Sequence, residues 1–264
     1  MAQPVEIKRR IRLKDFDPAD EGGWDKEQAK ERAAQLAERI GELQELLYAN
    51  ARHSIVLLFQ GMDASGKDGA VRKVLSAVNP AGVETWSFKA PSAEERAHDF
   101  LWRHHEAMPR YGFIGVHNRS HYEAVLVERA LKLAEPKVWK ARYAQINEFE
   151  KILAQNRVII LKFFLHISKE EQKERMESRL KDPKKKWKFN RQDLEIRARW
   201  DDFMEAYEDA INACSTAHCR WHVIPADRNW RRDLLVAEIV AQVLESLKMT
   251  WPKPAEDFSR IKIK

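Results

Sequence analysis

The sequence predicts an α/β fold: a parallel five-stranded sheet covered by helices on both faces. Two observations carry that expectation. Five short apolar runs alternate along the chain with stretches whose apolar residues recur every three or four positions, the pattern of strands joined by crossover helices. The first run ends in glycine and leads into a G-x-x-x-x-G-K spacing formed by Gly61, Gly66 and Lys67, with a helical pattern behind it. That is the setting of a phosphate-binding loop (P-loop) between a strand and a helix.

Taken in order, residues 1–24 read as an extended arm, with Pro4, Pro18, Gly22 and Gly23. Residues 24–50 read as a helix through Leu36, Ile40, Leu43 and Leu47. "SIVLLFQG" is the first strand, an uninterrupted apolar run that suits a strand buried on both faces, and a helix is expected over 66–77. "VETWSFKA" gives the second strand and "SAEERAHDFLWRHHEAM" one helix after it. "GFIGVHNRS" and "HYEAVLVERALKLA" give the third strand and its helix. A helix over 143–156 precedes the fourth strand, "RVIILKFFLHI", apolar but for Lys162. "SKEEQKERMESRL" opens with Ser168 and carries Glu171 three residues on, a capping box. One long helix is expected over 191–213, with Leu194, Ala198, Phe203, Tyr207 and Ile211 on one face. "RWHVIPA" is the fifth strand and "NWRRDLLVAEIVAQVLESL" the last helix; Pro252 and Pro254 make the tail irregular. With no internal repeat or low-complexity tract, residues 1–264 read as a single domain.

Of the 264 residues, 44% are hydrophobic, enough for a sizeable core, and 33% are charged, with a formal net charge of +6. The basic excess suits a polyanionic partner, or nothing more than a basic surface. No apolar run approaches the roughly 20 residues that span a bilayer, and the N-terminus has no apolar signal core, so no membrane partner is expected. Cys214 and Cys219, with His218 in "CSTAHC", are too few for a disulfide framework and too few for a structural zinc site. They read as reduced thiols of a cytoplasmic protein.

In the loop, Gly61, Ala64, Ser65 and Gly66 offer backbone N–H groups to a phosphate, the helix behind adds its positive end, and Lys67 adds a full cation that can follow a phosphoryl group in transfer. Two residues depart from the usual pattern. Asp68 stands where a hydroxyl would hold Mg2+, and Asp63 lies within the loop. A bare carboxylate beside a phosphate is repulsive, whereas a carboxylate together with phosphate oxygens is a ligand set that Mg2+ prefers. Asp63 is therefore read as the metal ligand, or as an acceptor of a proton from the attacking group; for Asp68 the preferred reading is a helix cap. At the end of the third strand stand Asn118, a weaker metal ligand than aspartate, Arg119, suited to clamping a phosphoryl group, and Glu123. The alternative there is a plain helix start, with Ser120 as cap and Arg119 in solvent.

Residues 173–191, "KERMESRLKDPKKKWKFNR", hold nine Lys or Arg against three Asp or Glu. Arg175 and Arg179 share a helix face. Pro183 ends the helix, leaving Lys184, Lys185, Lys186 and Lys188 on a loop around Trp187. Beside a phosphate loop such a segment reads as a lid that closes arginines over phosphates. Lys89, at the end of the second strand, and Asp99 and Arg103 beyond it face the edge where an acceptor would approach; Trp102 reads as core. Tryptophan among lysines could also stack on nucleic-acid bases, but no base-reading motif is present and no nucleic-acid partner is expected.

"GMDASGKDGAV", "SFKAPSAEE", "DFLWR", "GVHNRSHYEAVLV", "KKWKFN" and "VIPADRNWRRDL" occur here in this order. Together they resemble the second family of polyphosphate kinases, over residues 7–247. The resemblance implies a thymidylate-kinase-like P-loop fold with a helical lid. It implies Mg2+-dependent, reversible phosphoryl transfer between inorganic polyphosphate and nucleotides, with Mn2+ as a substitute metal, and a homo-oligomer, dimer or tetramer. "HNRSHYE" is similar to the class III branch, which uses both AMP and ADP and so yields ATP; that branch commonly has Asp where Ala124 stands. On this resemblance Asp63, Lys67, Arg119 and Glu123 carry catalysis. The glycines, Ala64, Ser65, Lys67, Asp68, Arg72, Arg175, Arg179 and Lys186 bind phosphates, and Lys89, Asp99, Arg103, Asn118 and Glu123 bind the nucleotide. The competing expectations are a polyphosphate kinase restricted to nucleoside diphosphates and an ATP-using nucleotide kinase.

Overall fold

The computed structural model describes residues 6–257; Pro4 of the arm lies outside them, as does the side chain of Lys188. The helices and strands, in chain order, are α1 (Lys26–Asn50), β1 (Ser54–Gln60), α2 (Lys67–Val74), β2 (Val83–Ser87), α3 (Ala93–Ala97), α4 (Trp102–Glu106), β3 (Ile114–Asn118), α5 (Glu123–Ala130), α6 (Pro136–Gln155), β4 (Val158–His166), α7 (Lys169–Lys181), α8 (Gln192–Ala198), α9 (Trp200–Cys214), β5 (Trp221–Pro225) and α10 (Asn229–Ser246). The five strands form one sheet in the order β2-β3-β1-β4-β5, parallel throughout. β1 and β4 are apolar and buried almost end to end, as central parallel strands must be.

One apolar layer joins Leu36, Ile40 and Leu47 of α1, Ala70 and Val74 of α2 and the apolar face of α10 to Ile55, Leu57 and Phe59 of β1. The other joins Val125 of α5, Ile146 and Phe149 of α6 and Phe203, Tyr207 and Ile211 of α9 to Val56, Leu58 and Phe164. β1 is central, with β3 on one side and β4 on the other, so the order of strands reverses around it. The crevice beyond the carboxyl ends of strands at such a point is where open α/β sheets bind ligands.

Several elements differ from the expectation. The single helix over 92–108 is two. Ser92 and Glu95 form a capping box at α3, but Asp99 Oδ1 accepts the Leu101 N–H at 2.9 Å and breaks the chain out of the helix, a short polar side chain competing with the helical ladder. Trp102 is half-buried and stacks on His98, with centroids 4.1 Å apart, so it is not core. The helix over 191–213 divides at Arg199, which lies between α8 and α9. α6 begins at Pro136, at the first helical position that proline favours. Ser168 caps α7 by accepting the Glu171 N–H at 3.1 Å, but the reciprocal half of the capping box is replaced: Glu171 accepts from Arg175 Nε at 2.7 Å.

The described part of the arm, from Glu6 on, carries a short 3-10 turn at Leu13–Asp15 and is bound to the rest of the fold. The Ile7 N–H reaches the Trp221 carbonyl at 2.9 Å, Asn212 bridges both backbone polar groups of Ile11, and Ile7 and Leu13 are buried. Lys162, the polar residue of the fourth strand, is fully buried with Glu150 at 2.6 Å. Its ammonium also donates to the Tyr122 hydroxyl at 2.9 Å and the Cys214 carbonyl at 2.7 Å, so all three donors are used. Cys214 and Cys219 are free and buried, their thiols turned toward the Tyr143 and Ile160 carbonyls, while His218 is exposed. Among the described residues no helix is long and apolar enough to cross a membrane.

Candidate active site

A cavity of about 1210 Å³ opens beyond β1 and β3. Its floor is the loop between β1 and α2. Met62 to Ser65 form a tight turn, closed by the Ser65 N–H on the Met62 carbonyl at 3.1 Å. Ala64 sits at φ +65°, a left-handed conformation that costs a residue with a Cβ about 1 kcal/mol. Gly66 caps α2 at φ +94°, and a Cβ there would lie 1.9 Å from Arg232 Nη1, so glycine is required on both counts. The carbonyls of Asp63 and Ala64 are held from α7, by Gln172 Nε2 at 2.9 Å and Arg175 Nη1 at 3.0 Å.

Asp63 stands at the cavity wall with its carboxylate mostly buried, and Oδ1 accepts from Arg119 Nη2 at 3.1 Å. Arg119 gives its other terminal nitrogen to Glu123 at 3.3 Å. Glu123 is the main cause that raises the Arg119 pKa, against the effect of burial. Arg119 is itself left-handed, at φ +65°, its N–H on the Phe59 carbonyl at 3.0 Å. Lys67 reaches back to the carbonyls of Gly61 (2.8 Å) and Met62 (3.3 Å). Burial lowers its pKa, and Asp63 acts in the opposite direction. Asp68 is not the helix cap; it lies in the first turn of α2 and accepts from Asn118 Nδ2 at 2.7 Å, which joins the loop to the end of β3. Ser120 does take part in the lead-in to α5, accepting the Tyr122 N–H at 3.2 Å and Gln60 Nε2 at 3.0 Å.

Of the residues singled out in the sequence, Asp63, Ala64, Gly66, Lys67, Asp68, Arg72, Lys89, Asn118, Arg119, Arg175 and Arg179 line this cavity. Others do not. Ser65 is buried beneath the loop, and Gly61 ends the strand with its Cβ position 2.8 Å from the Leu165 carbonyl. Glu123 reaches the cavity only through Arg119. Lys186 is exposed in a 3-10 turn while its neighbours Lys185 and Trp187 line the wall. Arg103 holds the Lys89 carbonyl at 2.9 Å and Glu95 at 3.3 Å. Asp99 lines a separate pocket of about 380 Å³ with Trp102, His105 and Phe149. Arg175 is engaged by protein: besides Glu171 and Ala64 it donates to the Ala226 and Asp227 carbonyls, at 2.7 and 2.8 Å.

The sequence reading missed several lining residues. Arg232 lies almost fully buried against Gly66, paired with Asp233 at 2.6 Å and Asn229 at 2.7 Å. Burial lowers the Arg232 pKa and raises that of Asp233. Lys73 lies on α2, and Asp193 enters on α8, its pKa raised first by burial and then by the charge of Asp63. The paired arginines of "NWRRDL", directly after a strand and at a helix start, were the available signal for Arg232.

A parallel sheet with its P-loop beyond the central strand, basic side chains from α2, α7, α10 and the connecting loops around it and an acid within it defines a P-loop kinase-like phosphotransferase. Residues 23–252 match the family model "Polyphosphate kinase 2 (PPK2)", and the chain belongs to that family. A Meiothermus ruber protein named AMP/ADP-polyphosphate phosphotransferase is 49% identical over 263 residues, covering 98% of each chain. A Rhodopseudomonas palustris protein named ADP-polyphosphate phosphotransferase is 42% identical, covering 93% of this chain and 92% of its own. The crystal structure of polyphosphate kinase 2 from Arthrobacter aurescens TC1 is 40% identical and superposes with a TM-score of 0.93 over 96% of this chain and 92% of that one.

Proposed function

We propose that this protein transfers phosphoryl groups from inorganic polyphosphate to AMP and ADP, giving ADP and ATP. The observation that carries the reading is the cavity: it is far larger than a single phosphate requires, and it places Lys67, Arg72, Lys73, Arg119, Arg179 and Lys185 around one loop. Several cations around one large cavity suit a polymeric anion. The 49% identity to the Meiothermus ruber AMP/ADP-polyphosphate phosphotransferase supports the choice of acceptors.

The transfer is an in-line exchange. A phosphate oxygen of the nucleotide forms a bond to the terminal phosphorus of the chain as the bridging P–O bond behind it breaks, leaving a chain one unit shorter. No proton has to move. Lys67 and Arg119 would then stabilise the charge on the phosphoryl group in transit, and the remaining cations would hold the chain. α7, α8 and the loop between them form one wall of the cavity and would act as the lid that excludes water.

The residues fit a divalent cation, Mg2+ with Mn2+ as substitute. Among the described residues no three His, Cys, Asp or Glu side chains form a ready site; Asp63 together with phosphate oxygens would supply the hard-oxygen set such ions prefer. The cation would offset phosphate charge and orient the reacting group. With no membrane-crossing helix among the described residues and both cysteines free, a cytoplasmic enzyme is the reading these features favour.

The donor is tested by supplying ADP with Mg2+ and either polyphosphate or GTP, and following ATP. Polyphosphate as the effective donor supports the proposal; GTP as the effective donor, with polyphosphate inert, would identify an ordinary nucleotide kinase.

A further inference from the structure

Asp63 and Ala64 are the two central residues of the turn closed by the Ser65 N–H on the Met62 carbonyl. A turn of this kind has two forms, related by a flip of its central peptide, and the form with positive φ at the second central residue favours glycine. Here that residue is Ala64, at φ +65°. Left to itself, the Asp63–Ala64 peptide would favour the opposite orientation, which would carry the Asp63 backbone away from its present place. The carbonyl of that peptide is held by Gln172 Nε2 at 2.9 Å.

Gln172 is fully buried on α7. Its Oε1 accepts from Arg197 Nη1 at 2.8 Å, and the same nitrogen donates to the Lys169 carbonyl. Arg197 belongs to α8. A cation on the amide oxygen leaves the amide nitrogen facing the loop, so the orientation of Gln172 is fixed from the other side of the α7–α8 wall. We infer that Gln172, oriented by Arg197, is a positioning residue that holds the Asp63–Ala64 peptide flipped, and so ties the placement of the loop carboxylate to the position of α8. The inference rests on the transfer reading for its consequence in catalysis, and on the fold alone for the hold on the peptide.

The test uses Gln172→Glu, which keeps an acceptor for Arg197 but removes the donor to the Asp63 carbonyl. The expected result is a fall in kcat on the order of tenfold, the scale of a small misplacement at a reacting centre, with KM for polyphosphate within about twofold. Adding Ala64→Gly to the same chain removes the cost of the left-handed turn and is expected to recover most of the loss. A purely structural role for Gln172 gives no such recovery. Arg197→Met, with Gln172 in place, is expected to lower kcat in the same direction by less, and it serves should the glutamate variant not fold. Amide exchange of residues 61–67 without substrates is expected to quicken in Gln172→Glu. Should the wild-type chain be inactive with polyphosphate, the transfer reading fails, and exchange alone decides the hold. Unchanged kcat, a change confined to KM, no recovery with Ala64→Gly, or unchanged exchange in the loop would each overturn the inference.

Discussion

Asp63 and Asp68 stand five residues apart in the chain, and each is met by a different partner: Arg119 lies on Asp63 at 3.1 Å and Asn118 on Asp68 at 2.7 Å. The acids that looked misplaced in a phosphate loop therefore serve two purposes. One faces the cavity as a would-be ligand, and the other joins the loop to the neighbouring strand. Glu123 acts on the cavity through Arg119. AMP carries one phosphate fewer than ADP, so in the proposed transfer it would have fewer phosphate contacts to place its attacking oxygen and would depend more on a fixed Arg119. Glu123→Ala is predicted to lower kcat/KM for AMP about tenfold more than for ADP, read from initial rates with each acceptor; equal losses would remove that role. The acids, Lys67 and Arg119 were legible in the sequence because spacing from the glycines and from the strand end places them. Arg232 was not, because its nearness to Gly66 arises from the packing of α10, 166 residues further on, against α2. For Arg175 the charge was legible but the partners were not. The same guanidinium serves a phosphate or four protein oxygens, and only the fold brings Ala64, Ala226 and Asp227 within its reach.

Element by element, strands were the most legible part, because short runs that alternate with helical patterns admit few alternatives. The helix over 92–108 was misjudged because a local polar competitor, Asp99, interrupts it, which periodicity does not register. β4 carries the one charge that the apolar pattern tolerated, and its partner lies on α6. Burial alone would raise the Glu150 pKa, but Lys162 and His121 bring it down to about 2. Removing one member of a buried pair leaves the other charge uncompensated, at about 3–5 kcal/mol, whereas apolar replacement of both is often neutral. Glu150→Ala is predicted to cost about that much in urea unfolding, and Glu150→Leu with Lys162→Met clearly less. A double variant as unstable as the single one would show that the loss came from packing.

Across the whole molecule two titration effects and one charge effect can be read. His104, His117, His166 and His222 are buried, and burial lowers the pKa of each, that of His117 to about 4. Below the ordinary histidine value of 6.5 the unfolded chain takes up protons that the folded chain refuses, so stability falls as pH falls through the window from 6.5 to 4. Glu150 extends the loss at lower pH, between its ordinary 4.5 and about 2, because its charged form is the one the fold stabilises. Melting temperature is predicted to drop steadily from pH 7 to pH 5, with a shallower slope for His117→Phe; a flat profile would contradict this. Basic residues in one cavity also predict that polyphosphate binding releases counterions, so KM for long chains should rise steeply between 50 and 200 mM KCl, a range in which a charge-neutral site would show little change. The central claim is that this cavity moves phosphate from a polymer to AMP and then to ADP. Its most direct test is one incubation of the pure protein with AMP, long-chain polyphosphate and Mg2+, nucleotides separated over time, beside tubes lacking polyphosphate or carrying Asp63→Asn. The account predicts ADP first and ATP after it, in the complete wild-type tube alone; no product there, or equal product with Asp63→Asn, would contradict it.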